Sequence, residues 1–341
     1  MQTSPLLPGE RDDRDADLLR YRFRVDVTES VPLPGRHELA ARIIAPRDFG
    51  NHQPLLLFCV PGGFLTGGYY DLEVPGDPSY SFAARMAQCG FITATVDNLG
   101  SGESTRPENG YAIAVEHMAD ANHSAWQQIM QGLAEGSLVP ELEGLSDLFS
   151  IGVGHSLGSC LSVVHQARAN CHAGLLLYSF SAEGLPMYLL PEERPFIGDP
   201  AGARANLEKF ARAHFKDPYP MNGDAGAEDR GPAFSTGTAE PAAVEALSAI
   251  GTNLVGSAGL LTLFPGGFSP EASQISVPVF IAAGDHDLHT AQRTPPAFPR
   301  SPEVIAYTLP DCWHCHFVAR QRLRLWDRSA RWIQGLIANL S

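Results

Sequence analysis

Gly154-His155-Ser156-Leu157-Gly158 sets a serine between two glycines, with a histidine and a leucine as its direct neighbours. That spacing suits a nucleophile on a tight strand-to-helix turn, where the backbone is strained and flanking side chains would crowd it. A serine hydroxyl is a weak nucleophile alone. It needs a base to take its proton and an acid to orient the base. In the order Ser, Asp/Glu, His, both partners follow the nucleophile along the chain. Asp287 in Gly284-Asp285-His286-Asp287 is the expected acid, with Asp285 bracing the loop and Glu183 as the alternative acid. His314 in Pro310-Asp311-Cys312-Trp313-His314-Cys315-His316 is the expected base, and His316 is the alternative. The chemistry expected of such a set is acyl transfer through a covalent intermediate on Ser156. Its oxyanion needs two backbone N–H groups. Leu157 supplies one, and Gly63 or Phe64 in Pro61-Gly62-Gly63-Phe64 the other.

These residues need a frame. Arg20–Val27 alternates apolar and polar residues and Leu39–Ile44 continues it, which predicts two strands with a buried face. Leu55–Val60, Phe91–Val96, Phe149–Val153, Gly174–Phe180, Val277–Ala283 and Val304–Leu309 are apolar runs suited to strands buried on both faces. Between them helices are predicted over Ser79–Gln88 with Ser79 as cap, Tyr111–Leu133 and Leu157–Ala169, and at the end over Leu323–Leu340. The alternation predicts an α/β fold with a doubly wound, mainly parallel sheet of about eight strands. Each candidate catalytic residue then falls at the carboxyl end of a strand, where sites in open sheets form.

The rhythm breaks between residues 182 and 274, where helices are predicted near Ala201–Phe215 and over Pro241–Ile250. A Gly- and Asp-rich loop at Asn222–Gly237 and an apolar segment at Leu254–Phe264 complete that stretch. The expected organisation is a core of residues 1–181 and 275–341, with 1–18 a polar leader and 182–274 a mostly helical cap insertion.

Pro61-Gly62-Gly63, Asp97-x-x-Gly100-x-Gly102-x-Ser104, Gly154-His155-Ser156-Leu157-Gly158, Gly284-Asp285-His286-Asp287 and Pro310-Asp311-Cys312-Trp313-His314 together resemble the α/β-hydrolase superfamily over nearly the full length after the leader. The resemblance implies that the Asp97 turn is structural more than catalytic. Two departures stand out: Val60-Pro61-Gly62-Gly63 replaces the His-Gly frequent after the third strand, and Trp313 precedes the histidine where many members have a small residue. Members that open epoxides or remove halides carry aspartate at the elbow, so serine implies an acyl-enzyme. The expected activity is hydrolysis of a carboxylic ester or lactone of a moderately large hydrophobic small molecule, with Leu254, Leu260, Leu261, Leu263, Phe264 and Phe268 as an apolar roof or as the cap's own core. Thioesterase, amidase, acyltransferase or carbon–carbon hydrolase chemistry is the alternative on the same residues, and a receptor-like binding protein is the non-enzymatic one.

Composition narrows the partners. Across 341 residues, 44% are hydrophobic and 18% charged, a globular balance. A net charge of -14 opposes phosphate backbones and anionic bilayers, so neither nucleic acid nor membrane is expected as a partner, while a homodimer remains open. Met1–Asp17 lacks a basic stretch followed by an apolar one, so no signal peptide is expected, and six scattered cysteines suit reduced thiols and the cytoplasm. The glycine spacing at 152–158 misses the dinucleotide pattern by one residue, and Cys312–Cys315 lacks a second pair to build a zinc site. No cofactor and no metal are expected.

Overall fold

The computed structural model describes residues 9–12, 17–50, 53–142, 144–145, 147–221 and 236–338. Most of the polar leader, residues 222–235 of the Gly- and Asp-rich loop and the last turn expected of the C-terminal helix lie outside them. The strands are β1 (Glu10–Arg11), β2 (Leu18–Asp26), β3 (Glu38–Pro46), β4 (Leu55–Val60), β5 (Phe91–Val96), β6 (Phe149–His155), β7 (Gly174–Tyr178), β8 (Val279–Gly284) and β9 (Val304–Leu309). They form one nine-stranded sheet in the order β1-β2-β3-β5-β4-β6-β7-β8-β9. β1, β2 and β3 pair antiparallel, β3 meets β5 antiparallel, and the strands from β5 to β9 in that order run parallel. This is the expected doubly wound, mainly parallel sheet, one short strand larger.

The apolar runs form central strands because alternate residues bury on opposite faces. From β4, Leu56, Phe58 and Val60 enter one hydrophobic cluster, and Leu55, Leu57 and Cys59 enter the other. Helices α1 (Phe82–Ala87), α2 (Val115–Ala134) and α3 (Leu157–Ala169) make the crossovers. α1 starts one turn later than expected. Ser81, not Ser79, caps it by accepting from the Ala84 N–H at 2.9 Å, and Pro78–Tyr80 is a separate 3-10 turn. Beneath that turn Arg20 and Asp71 form a buried ion pair, and the Ser81 hydroxyl donates to the Asp71 carboxylate.

β4 has β5 on one side and β6 on the other, so the winding direction reverses there. A crevice at the carboxyl ends of β4 and β6 follows from that reversal. The register pairs Val60 with Gly154, which brings the turn after β4 against the turn after β6.

Between β7 and β8 come α4 (Pro200–Ala205), α5 (Leu207–His214), α6 (Pro241–Ala249), α7 (Gly256–Leu261) and α8 (Ser269–Ala272). The helix expected over 201–215 is divided at Asn206, whose side chain donates to the Gly202 carbonyl at 2.9 Å. Leu207, Phe210, Leu260 and Phe264 belong to the same cluster as Phe58 of the sheet, so the insertion shares the core of the main fold. Arg204 fastens it further, with Glu271 at 2.8 Å and Glu116 of α2 at 2.5 Å. The C-terminal helix α9 (Arg322–Ala338) lays Leu325, Trp326 and Ile333 on the opposite face of the sheet. No helix among the described residues is long and apolar enough to cross a membrane.

Candidate active site

Ser156 stands between β6 and α3 at φ 54° and ψ -121°, a strained conformation for a residue with a side chain. The flanking glycines are obligatory. A Cβ at Gly154 would lie 2.4 Å from Ser159 Cα, and one at Gly158 only 2.0 Å from the Val60 carbonyl oxygen. Both obstacles are backbone and cannot yield. The Ser156 N–H donates to the Tyr178 carbonyl of β7 at 2.8 Å, which anchors the turn to the sheet.

His314 Nε2 is 2.9 Å from Ser156 Oγ, and His314 Nδ1 is 2.7 Å from Asp287 Oδ1. Three residues far apart in sequence thus form one continuous chain, and all three are largely shielded from solvent. Asp285 braces the histidine loop as expected, because its carboxylate accepts the Asp311 and Cys312 N–H groups, each at 3.0 Å. Glu183 lies elsewhere and pairs with Arg293 at 2.6 Å. His316 does not reach Ser156 in this chain; its Nε2–H donates to Asp287 Oδ2 at 3.0 Å from a fully buried position.

Asp287 is therefore fully occupied. Oδ1 accepts from His314 and from the Leu288 N–H at 2.7 Å, and Oδ2 accepts from His316 and the Ser179 hydroxyl. Burial works to raise its pKa, but the two histidines and their hydrogen bonds outweigh it and hold the carboxyl well below the usual range. Ser179 was not singled out from sequence. It follows β7 at φ 57°, and only that turned backbone brings its hydroxyl to Asp287.

His155 also has a place that its position beside Ser156 does not reveal. Its Nε2–H donates to the His314 carbonyl at 2.9 Å and its ring lies 4.6 Å from that of Tyr69. Burial, then the neighbouring His314 and His316, push its pKa well below the ordinary value, so the ring is neutral.

The turn after β4 reaches the same point. A Cβ at Gly62 would meet His155 Nδ1 at 2.7 Å and Ser156 Cβ at 3.2 Å, so glycine permits the close approach. Asn98 Nδ2 donates to the Pro61 carbonyl at 3.0 Å, and Asp97 accepts from the Gly67 N–H at 2.7 Å and the Glu103 N–H at 2.9 Å. The Asp97 turn thus braces the Gly62–Gly63 loop from behind. Leu157 begins α3, so its N–H has no acceptor within the helix. Phe64 has φ 64°, and its carbonyl accepts the Thr252 N–H of the insertion at 2.9 Å.

Most of the expected apolar roof is core. Leu254, Leu260, Leu261, Phe264 and Phe268 are all buried in the main cluster, and Leu254 also closes on the loop, 2.5 Å from a Cβ placed at Gly63. Trp313 stacks on His286 at 4.3 Å and receives Gly237 of the insertion against its indole. Cys312 and Cys315 are free thiols, the first fully buried.

A family model described as the alpha/beta hydrolase family matches residues 57–324. No curated protein matches the chain. Among solved structures, the peroxisomal alpha-beta-hydrolase Lpx1 of Saccharomyces cerevisiae is similar at 12% identity and a TM-score of 0.57, covering 95% of this chain and 91% of its own. E-2-(acetamidomethylene)succinate hydrolase is similar at 18% and 0.53, with 94% and 99% covered. Proline iminopeptidase of Mycobacterium smegmatis is similar at 16% and 0.53, with 94% and 100% covered. At these identities the likeness is one of fold.

Proposed function

This chain belongs to the alpha/beta hydrolase family, and we propose that within it the protein is a serine hydrolase that cleaves a carboxylic ester or lactone through an acyl-enzyme on Ser156. The observation that carries this reading is the chain of contacts from Ser156 Oγ through His314 to Asp287, at 2.9 and 2.7 Å. His314 Nε2 takes the hydroxyl proton as Oγ attacks the carbonyl carbon. Asp287 holds the Nδ1–H and steadies the imidazolium that forms. The oxyanion accepts from the Leu157 N–H and from an amide of the Gly63–Phe64 pair. His314 then protonates the departing alcohol, and water repeats the sequence on the acyl group. Leu157 and Leu254 beside this point favour an apolar acyl or alcohol portion.

The test is a panel of p-nitrophenyl esters of increasing acyl length, together with labelling by a fluorophosphonate. Turnover of at least one ester and stoichiometric labelling at Ser156 are expected. Absence of both would sink the enzymatic reading.

His316 and Ser179 act here as positioning residues on the outer oxygen of Asp287. His316→Ala removes one charge-assisted hydrogen bond, about 1.5 kcal/mol, and is expected to lower kcat about tenfold with little change in KM. His314→Ala, measured beside it, costs far more. A larger loss from His316→Ala than from His314→Ala would reverse the assignment of base and support. His316→Gln, which keeps a donor, should recover part of the loss.

A further inference from the structure

At the far end of α3, His123 of α2, His165 of α3 and Cys171 in the turn before β7 turn their ligating atoms together. His123 Nδ1 is 3.1 Å and Cys171 Sγ 3.3 Å from His165 Nε2, and the three atoms lie within 4.8 Å of one another. We propose that they bind a zinc-class divalent cation. Ligand atoms about 2.0–2.3 Å from zinc stand about 3.3–3.6 Å apart at tetrahedral angles; the two contacts of His165 Nε2 lie close to that range, and His123 and Cys171 would close on the ion by side-chain rotation.

The protons behind the cluster point the same way. Ser150 Oγ is in contact with Trp126 Nε1 at 3.0 Å, His172 Nδ1 at 2.9 Å and the Cys171 carbonyl at 3.3 Å. The indole can only donate and the carbonyl can only accept, and all three contacts are satisfied together when the single hydroxyl hydrogen goes to Cys171. His172 Nδ1 must then donate to Ser150, which leaves its Nε2 to accept from His165 Nδ1 at 3.3 Å. Both rings are buried and, among the described residues, have no carboxylate partner, which favours their neutral forms. His165 Nε2 is consequently a bare lone pair aimed at His123 and Cys171. A ligating imidazole whose second nitrogen donates to a fixed acceptor is the usual support of a metal ligand. Packing fixes the rings as well, since His123 stacks on Trp126 at 5.5 Å and Phe58 meets His165 edge-on at 5.8 Å.

A surface depression of about 320 Å³, lined by Ala119, Asp120, His123, His165, Arg168 and Ala169, gives an ion access and leaves room for water as a fourth ligand. The role is structural. The cluster stands roughly 13 Å along α3 from Ser156, and an ion there would clamp α2, α3 and the turn into β7.

The purified protein, stripped by chelator, is titrated with Zn2+ in a calorimeter and with Co2+ in a spectrophotometer. One zinc per chain, a thiolate-to-cobalt charge-transfer band and a zinc-dependent rise in Tm are expected. Cys171→Ser and His123→Ala should abolish the band and the Tm rise, and Ser150→Ala should weaken zinc binding about 10- to 100-fold. No zinc uptake by the wild type overturns the proposal. So does unchanged uptake in both Cys171→Ser and His123→Ala, each checked for native circular dichroism.

Discussion

Asp287→Asn is expected to lower kcat about 10⁴-fold while the protein stays folded. The carboxylate only accepts, and each of its oxygens already takes two donors: His314 and the Leu288 N–H on one, His316 and Ser179 on the other. An asparagine keeps one acceptor oxygen and presents an NH2 in place of the other. If the NH2 faces His314, the imidazole must turn its lone pair towards it and its proton towards Ser156, where no base then remains. If the NH2 faces Ser179 and His316, the hydroxyl turns to accept from it and His316 shifts its proton to Nδ1, while the carbonyl oxygen left on His314 carries no charge to steady the imidazolium. Either arrangement removes the negative charge that steadies the imidazolium, and the first also sets the NH2 against the Leu288 N–H. Ser156→Ala goes further, with a loss of roughly 10⁶-fold and no covalent labelling. Glu183→Gln, on the surface with Arg293, should leave kcat unchanged. A crippled Glu183→Gln beside a nearly normal Asp287→Asn would transfer the acid's role to Glu183.

Acid should unfold this protein well above the range in which carboxylates titrate. Burial pushes the imidazole of His289 down to about 4, and that of His155 well below its ordinary value. In the unfolded chain both take up protons near pH 6.5. The unfolded state therefore binds more protons below that pH, and stability rises with pH through the window. Each ring removes about 2 kcal/mol between pH 7 and pH 5. Asp287, with its lowered pKa, adds a separate loss only as pH falls through the ordinary carboxylate value and below. Urea denaturation at pH 7.5, 6 and 5 reads the slope directly. In His289→Gln the slope should be shallower by that residue's share. A flat profile from pH 7 to 5, or an unchanged slope in the variant, contradicts the account.

The parallel strands were the most legible part of the sequence. Leu55–Val60, Phe91–Val96 and Val304–Leu309 have the bounds read from their apolar runs, because glycine, proline or aspartate stops each one. Leu157–Ala169 was equally plain, since the elbow fixes its start. Pattern failed where a neighbour decides. β1 exists only because β2 offers an edge at Tyr21–Arg22, and α1 is capped by Ser81 because Pro78 diverts the turn before it. His314 and His316 share a loop and differ by two positions, so only the folded backbone separates the one facing Ser156 from the one behind Asp287. Ser179, Asn98 and His155 carry no motif. Their contacts depend on a positive φ, on a carbonyl in another loop, and on the backbone carbonyl of His314 itself.

Because Leu207, Phe210, Leu260 and Phe264 complete the same apolar interior as Phe58, the segment between β7 and β8 is not a detachable module. Excising it would leave the sheet with an uncovered face, and grafting one from a relative would require two interiors to match at once. On the proposed reading, substrate preference is expected to change one side chain at a time, at Leu254 and Phe64 first, and to resist exchange of whole segments.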